Sequence, residues 1–214
     1  MSLEKILDKI RGEVLRKDAV RQKIQMIARK TTRLSKQAIF FIHKDKVDEA
    51  ENLLREASIH LDKLRELSKM YPNLLYGGII DSVFEEYSEA QIFINLIKDE
   101  KFINPEKIGV PSECYVLGLA DVIGELRRRS LDLIRKGRIE AAEKSLNVME
   151  RIYVEITSYD ELLLLIPGLR RKCDIARRIV EATRGDVTTE VRRKVLNDAM
   201  RELEKALRSR IKRD

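Results

Sequence analysis

Apolar residues recur every three or four positions along almost the whole chain, which is the period of an amphipathic α-helix. No segment alternates between apolar and polar residues as a half-buried β-strand does. We therefore expect an all-α fold: a single domain over residues 1–214, built as a bundle of about six or seven helices. The first helix has a possible break near Gly12. The first five predicted helices cover residues 3–43, 47–69, 74–101, 112–136 and 139–158.

Prolines and capping residues set the other expected boundaries. Pro72 ends the second helix, because proline cannot continue a helix interior. Residues 102–112 are expected to form a loop, whose last residue, Ser112, caps the helix that follows. A final helix is expected to start at a cap provided by Thr188 or Thr189.

Two pairs of acidic residues stand at helical spacing on the third and fourth predicted helices. They are Glu86 with Glu89, and Asp121 with Glu125. Residues three or four apart share a helix face, and like charges held together are costly unless a cation lies between them. Carboxylate oxygens are the ligands that Mg²⁺ prefers. The spacing therefore predicts a metal site, and Arg128, on the same stripe, is placed to hold a phosphate. The alternative is that these acids are solvated surface residues.

Small and apolar residues surround Asp121. Gly118 and Gly124 flank it, with Ala120 next to it. Acids are rarely buried unless they are paired or bind a metal, and small residues let another backbone approach closely. We expect the acids of the third helix to reach Asp121. The alternative is a structural ion pair between Asp121 and an arginine of another helix.

Charge is distributed unevenly along the chain, whose net charge is +7. Residues 11–36 contain nine lysines and arginines against two acids, whereas residues 72–102 contain six acids against two lysines. That separation fits an electropositive groove leading to an acidic metal site, although ordinary solvated helix faces give the same pattern. Aromatic residues make up only 5% of the chain, so contacts with phosphates should outweigh base stacking.

Several other classes of protein lack support in the sequence. Cys114 and Cys173 have no metal-ligand spacing and are expected to be free thiols. No apolar run approaches the roughly 18 residues of a membrane-spanning helix. No glycine-rich phosphate loop is present. We expect a cytoplasmic protein that does not associate with membranes.

Four segments carry a family resemblance: ARKTTRLSKQAIFFIHK (28–44), FEEYSEAQIF (84–93), GLADVIGELRR (118–128) and RRKCDIARRIVEATRG (170–185). They are similar, in the same order, to segments of the translin family, and more closely to its translin-associated factor X type. The third segment is the most specific, because it resembles the family block Gly-Val-Ala-Asp-Leu-Thr-Gly-Glu-Leu.

The resemblance implies a bundle of about seven helices whose subunits form a closed octameric shell with RNA bound inside. In subunits of the translin-associated factor X type, acids cut single-stranded RNA with Mg²⁺, and Mn²⁺ is an expected substitute. Translin-type subunits lack these acids and mainly bind. By resemblance, Glu86, Glu89 and Asp121 are the expected metal ligands and catalytic acids, and Glu125 is a fourth ligand or a supporting acid.

Lys36 and Arg128 match basic positions of the family and are the expected contacts to the nucleic-acid backbone, with Arg29 as a weaker candidate. The chain is shorter than the animal factor, and its many Lys and Glu residues with few thermolabile residues indicate a prokaryotic or archaeal origin, in which a separate translin partner is not expected. We therefore expect a homo-oligomer that binds RNA and combines the basic residues of a binder with the acids of a nuclease, and single-stranded DNA is a further candidate ligand.

Two other hypotheses stay open at this point. One is a non-catalytic helical scaffold that binds single-stranded RNA or DNA, in which the acids are structural. The other is an all-α nucleotide pyrophosphohydrolase of the MazG kind, whose Glu-Glu-x-x-Glu motif resembles Glu85, Glu86 and Glu89. The second MazG motif, Glu-x-x-Asp, differs in order and spacing from Asp121 and Glu125.

Overall fold

A computed structural model describes residues 2–71 and 78–211. The described residues form helices joined by short connections and contain no strand, which confirms the predicted all-α class. None of these helices is both long enough and apolar enough to cross a membrane. The helices are α1 (Leu3–His43), α2 (Val47–Met70), α3 (Ile79–Asp99), α4 (Pro105–Ile108), α5 (Ser112–Arg135), α6 (Ile139–Thr157), α7 (Asp160–Leu165) and α8 (Leu169–Ile211).

Some predicted boundaries are wrong. Helix α1 runs through Gly12 without a break, because one glycine costs a helix only about 1 kcal/mol. The expected loop before α5 contains the short helix α4, and Ser112 is the first helical residue of α5. Thr189 is no cap: it lies inside α8, where its hydroxyl donates to the carbonyl of Gly185 (2.9 Å). The predicted start of the third helix falls outside the described residues.

The backbone divides into two compact units, residues 1–119 and 120–214, and the division falls within α5. In the first unit, α1 packs along both α2 and α3, and in the second α6 packs on α8. Fully buried side chains fill each unit. Those in the first include Ile42, Leu61, Leu64, Ile92 and Phe93, and those in the second include Val122, Ile123, Met149, Ile152 and Leu169.

Both cysteines are free, as predicted, and both are buried. Burial raises the pKa of the Cys114 thiol to about 12 and raises that of Cys173 as well. A raised pKa disfavours the thiolate, which is the form of cysteine that acts as a nucleophile or metal ligand.

The first turns of α5 lie directly against the backbone of α3. A Cβ atom added to Gly118 would lie 2.7 Å from the carbonyl oxygen of Glu85 and 2.9 Å from the amide nitrogen of Glu89. Arg65 of α2 holds the preceding connection by donating to the carbonyl oxygens of Ile108 (3.2 Å) and Gly109. Only glycine fits at position 118, so this contact fixes the first turns of α5 against the part of α3 that carries the acidic residues.

We expect Gly118→Ala to lower the free energy of unfolding by about 1–3 kcal/mol, because the added methyl group meets backbone atoms that cannot move aside. Gly124→Ala is the matched control on the same helix. A Cβ atom there meets nothing within 4 Å, so this variant should gain up to about 1 kcal/mol from helix propensity. Urea unfolding of both variants measures the difference. Equal stabilities would contradict the close contact at Gly118.

Candidate functional site

The first pair of predicted acids lies on α3 at the edge of its buried face. Tyr87 and Ala90 are buried, whereas Glu86 and Glu89 are half-buried. Burial raises the pKa of Tyr87, whose hydroxyl oxygen accepts a hydrogen bond from the amide of Gln91 (2.7 Å). This stretch of α3 therefore presents carboxylates beside a neutral, packed seam.

Glu86 is held by a lysine of α1. Its carboxylate oxygen lies 3.2 Å from the ammonium nitrogen of Lys36. The Glu86 side chain is 28% exposed and the Lys36 side chain is 62% exposed. The pair is therefore open to solvent on the lysine side, and the ammonium is free to turn toward another anion.

A basic groove of about 580 Å³ runs along α1 beside the start of α3. Three exposed cations line it, namely Arg29, Arg33 and Lys36, and the 47% exposed ring of Phe40 stands at one side. Because Lys36 also contacts Glu86, the groove leads to one of the predicted metal ligands. Cations spaced along a groove suit a negatively charged strand better than a small neutral ligand.

Asp121, on α5, is half-buried and pairs with a cation from another helix. Its neighbours Ala120 and Val122 are buried, and its carboxylate oxygen lies 2.5 Å from the ammonium nitrogen of Lys172 on α8. The alternative expected from the sequence was that Asp121 forms a structural ion pair with an arginine instead of binding a metal. The partner in the structure is a lysine, whose flexible stem lets it withdraw more easily than a guanidinium.

Glu125 lies one turn beyond Asp121 on α5. Its nearest Arg128 nitrogen is 3.9 Å away, and the Arg128 side chain is 54% exposed. The adjacent Arg127 is used differently, since it donates to the hydroxyl of Thr183 (2.8 Å) and so ties α5 to α8. Arg128 is thus the better placed of the two arginines to hold an external anion.

The candidate ligands suit a hard divalent cation by their chemistry. All four are carboxylates, and all are half-buried at the edges of helices, where an ion can reach them. Three of them are paired with a cation: Glu86 with Lys36, Asp121 with Lys172, and Glu125 with Arg128. These cations would have to turn away before a metal could bind. Within residues 2–71 and 78–211, no three His, Cys, Asp or Glu side chains are grouped closely enough to hold an ion. The joint metal site stays a prediction.

Two residues beside the predicted site were not predicted from the sequence: Arg33 and Lys172. Arg33 lies four residues after Arg29 and three before Lys36, so helical spacing alone would have placed it on the same face. Nothing in the sequence around Lys172 indicates its role, because its partner Asp121 is 51 residues away in the chain.

These features define an all-helical protein with a cationic groove and lysine-paired carboxylates. The chain matches the Translin family over residues 19–182, and it belongs to that family. The matched region contains all four candidate acids, the three cations of the groove, and Arg128 and Lys172.

Individual proteins agree with this assignment. A protein of Methanocaldococcus jannaschii, described as uncharacterized protein MJ0175, is 33% identical over 190 residues, which cover 88% of this chain and 84% of the relative. The structure of AfC3PO in complex with duplex RNA is similar with a TM-score of 0.77 and 31% identity, covering 88% of this chain and 98% of its own.

Two further C3PO structures are also similar to this chain. AfC3PO has a TM-score of 0.76 and 32% identity, covering 88% of this chain and 98% of its own. Apo-NeC3PO has a TM-score of 0.76 and 25% identity, covering 86% of this chain and 96% of its own. The high coverage on both sides shows that the likeness extends over nearly the whole of each related chain.

Proposed function

We propose that this chain binds RNA and cleaves its single-stranded parts in a Mg²⁺-dependent endonuclease reaction, as a member of the catalytic, translin-associated factor X type. The observation that carries the proposal is the contact between Lys36 of the basic groove and Glu86 of the acid set. A strand lying in the groove would reach a carboxylate through that lysine. Membership of the Translin family and the likeness to an RNA-bound C3PO structure support the nucleic-acid part of the proposal.

Glu86, Glu89 and Asp121 are the proposed ligands of the cation, and Glu125 assists as a fourth ligand or by orienting the others. When bound, Mg²⁺ or Mn²⁺ supplies positive charge that lowers the pKa of a nearby water and offsets charge developing on the scissile phosphate. One of the glutamates takes the proton of the attacking water. Arg128 holds a non-bridging phosphate oxygen with its planar guanidinium.

Lys36, Arg29 and Arg33 are the proposed contacts to the strand backbone. They lie on one face of α1 and are exposed, so each can neutralise a phosphate. Such contacts are insensitive to base identity, so we expect weak sequence preference and binding of single-stranded DNA as well as RNA. Phe40 offers one ring for base stacking beside these cations.

We propose further that the chain acts as a homo-oligomer, an octameric shell with RNA inside, in the cytoplasm. One chain carries both the cations that bind a strand and the acids that would cut it. A separate binding subunit is therefore not needed for the reaction.

A non-catalytic translin-like scaffold is the second candidate function. The ion pairs of Glu86 and Asp121 favour it, because a structural role for these acids needs no metal. The MazG-like hypothesis depended on Glu85, Glu86 and Glu89, and the chain belongs to the Translin family instead.

The nuclease proposal predicts that Glu89→Gln and Asp121→Asn each lower cleavage of a labelled single-stranded RNA by at least about 100-fold, because each removes a charged ligand of the metal. EDTA should abolish cleavage by the wild type. Gel analysis of the labelled RNA with Mg²⁺ measures both effects, and light scattering checks that oligomer size is unchanged.

Glu85→Gln is the matched control, since Glu85 is also a half-buried glutamate on α3 but lies outside the proposed set. It should cleave at close to the wild-type rate. Equal activity in all variants would place the site elsewhere, and binding without cleavage in any divalent metal would favour the scaffold. Two results together would support the MazG-like hypothesis: release of pyrophosphate from free nucleotides by the wild type, and loss of that release in Glu85→Gln.

The groove proposal predicts steeply salt-dependent RNA binding, because each phosphate contact adds about 0.7 to the slope of log affinity against log salt for a single strand. Arg29→Gln and Arg33→Gln should each reduce the slope by about that amount. Lys194→Gln, far along α8 in a pair with Glu140, is the control and should leave it unchanged. Fluorescence anisotropy at several salt concentrations measures the slope. A slope near zero in the wild type would contradict nucleic-acid binding through the groove.

A further inference from the structure

The Lys172–Asp121 pair joins two helices of the second unit, residues 120–214. Lys172 projects from α8 and Asp121 from α5, and their charged atoms lie 2.5 Å apart. The side chains are 21% and 33% exposed, respectively. The ammonium therefore occupies a position beside one carboxylate oxygen that a metal ion bound to that oxygen would compete for.

Another lysine of α8 forms a pair that is much more open to solvent. Lys194 contacts Glu140 of α6, and their side chains are 44% and 70% exposed. Water and salt screen such an exposed pair strongly, whereas the pair at Asp121 is partly removed from both. Lys172 is thus the stronger counter-charge for its acid.

Glu86 shows the same arrangement in the first unit. Lys36 lies 3.2 Å from its carboxylate, although this lysine is more exposed than Lys172. Two of the acids proposed as metal ligands, one on α3 and one on α5, thus already carry an ammonium group. When no divalent cation is present, this ammonium balances the charge of the half-buried carboxylate. The folded protein then avoids the free-energy penalty of an unpaired, partly desolvated charge.

We propose that Lys172 is the resident counter-cation of Asp121 and competes with a divalent metal ion for its carboxylate. The inference rests on the proposed function, because it takes Asp121 as a metal ligand. The ammonium is a compact charge on a four-carbon stem, so it can withdraw when a metal ion arrives. Lys172 then lowers the affinity for the metal and stabilises the metal-free protein. Lys36 has the same role at Glu86, with a smaller effect because it is more exposed.

The test is titration of RNA-free protein with Mn²⁺ by calorimetry. Lys172→Met removes the charge and keeps the stem, so Mn²⁺ should bind about fivefold more tightly than to the wild type, as expected for loss of an ion pair worth about 1 kcal/mol. Lys172→Arg retains the charge, and its guanidinium withdraws less easily than an ammonium, so Mn²⁺ should bind no more tightly than to the wild type. Lys194→Met is the matched control on the same helix and should leave Mn²⁺ affinity unchanged.

Thermal unfolding gives a second measurement that does not depend on activity. In EDTA, Lys172→Met should melt below the wild type, because Asp121 has lost the ammonium of Lys172, and Mn²⁺ should raise its melting temperature by more than it raises that of the wild type. Lys172→Arg keeps a counter-charge beside Asp121, so it should melt close to the wild type in EDTA, and Mn²⁺ should raise its melting temperature by no more than it raises that of the wild type.

The outcomes separate this inference from the function on which it rests. If Asp121→Asn loses Mn²⁺ binding but Lys172→Met binds no more tightly than the wild type, the metal site stands and the role of Lys172 is wrong. If the wild type binds no Mn²⁺, or Asp121→Asn binds it as well as the wild type, both the inference and the proposed site are wrong.

Discussion

The close contact between the backbones of α3 and α5 at Gly118 is the constraint that holds the first turns of α5 against the acid-bearing part of α3. A side chain at this position would meet the main chain of Glu85 and Glu89, so glycine alone permits the approach. Arg65 reinforces the contact by holding the carbonyl groups that precede α5. The contact is made by the same turn of α3 that carries Glu86 and Glu89.

Charge compensation is the second organising feature. All four candidate acids are half-buried, and three of them lie beside a lysine or an arginine: Glu86, Asp121 and Glu125. A half-buried carboxylate with a mobile ammonium partner is stable without a metal and still available to one. The same Lys36 that compensates Glu86 lines the groove, so binding of a strand and release of the carboxylate would be linked through one side chain.

Local spacing was enough to predict much of this arrangement. The positions of Glu86 and Glu89 beside a buried seam follow from the 3.6-residue period, and the role of Gly118 follows from its missing side chain. The continuity of α8 through Thr189 was not predicted, because threonine is a common helix cap. In the structure the helix continues through this residue as part of one long helical stretch. Lys172 could not be found, since only packing of α8 on α5 brings it to Asp121.

The most direct test of the central claim is the anomalous diffraction of Mn²⁺ in a crystal of the protein soaked with the metal. The account predicts a manganese peak bonded to carboxylate oxygens of Glu86, Glu89 and Asp121, at about the 2.0–2.2 Å that oxygen ligands adopt around small divalent ions. It also predicts that the ammonium of Lys172 has moved away from Asp121. A fully loaded crystal in which the peak lies elsewhere, with the Lys172–Asp121 pair intact, would contradict the account.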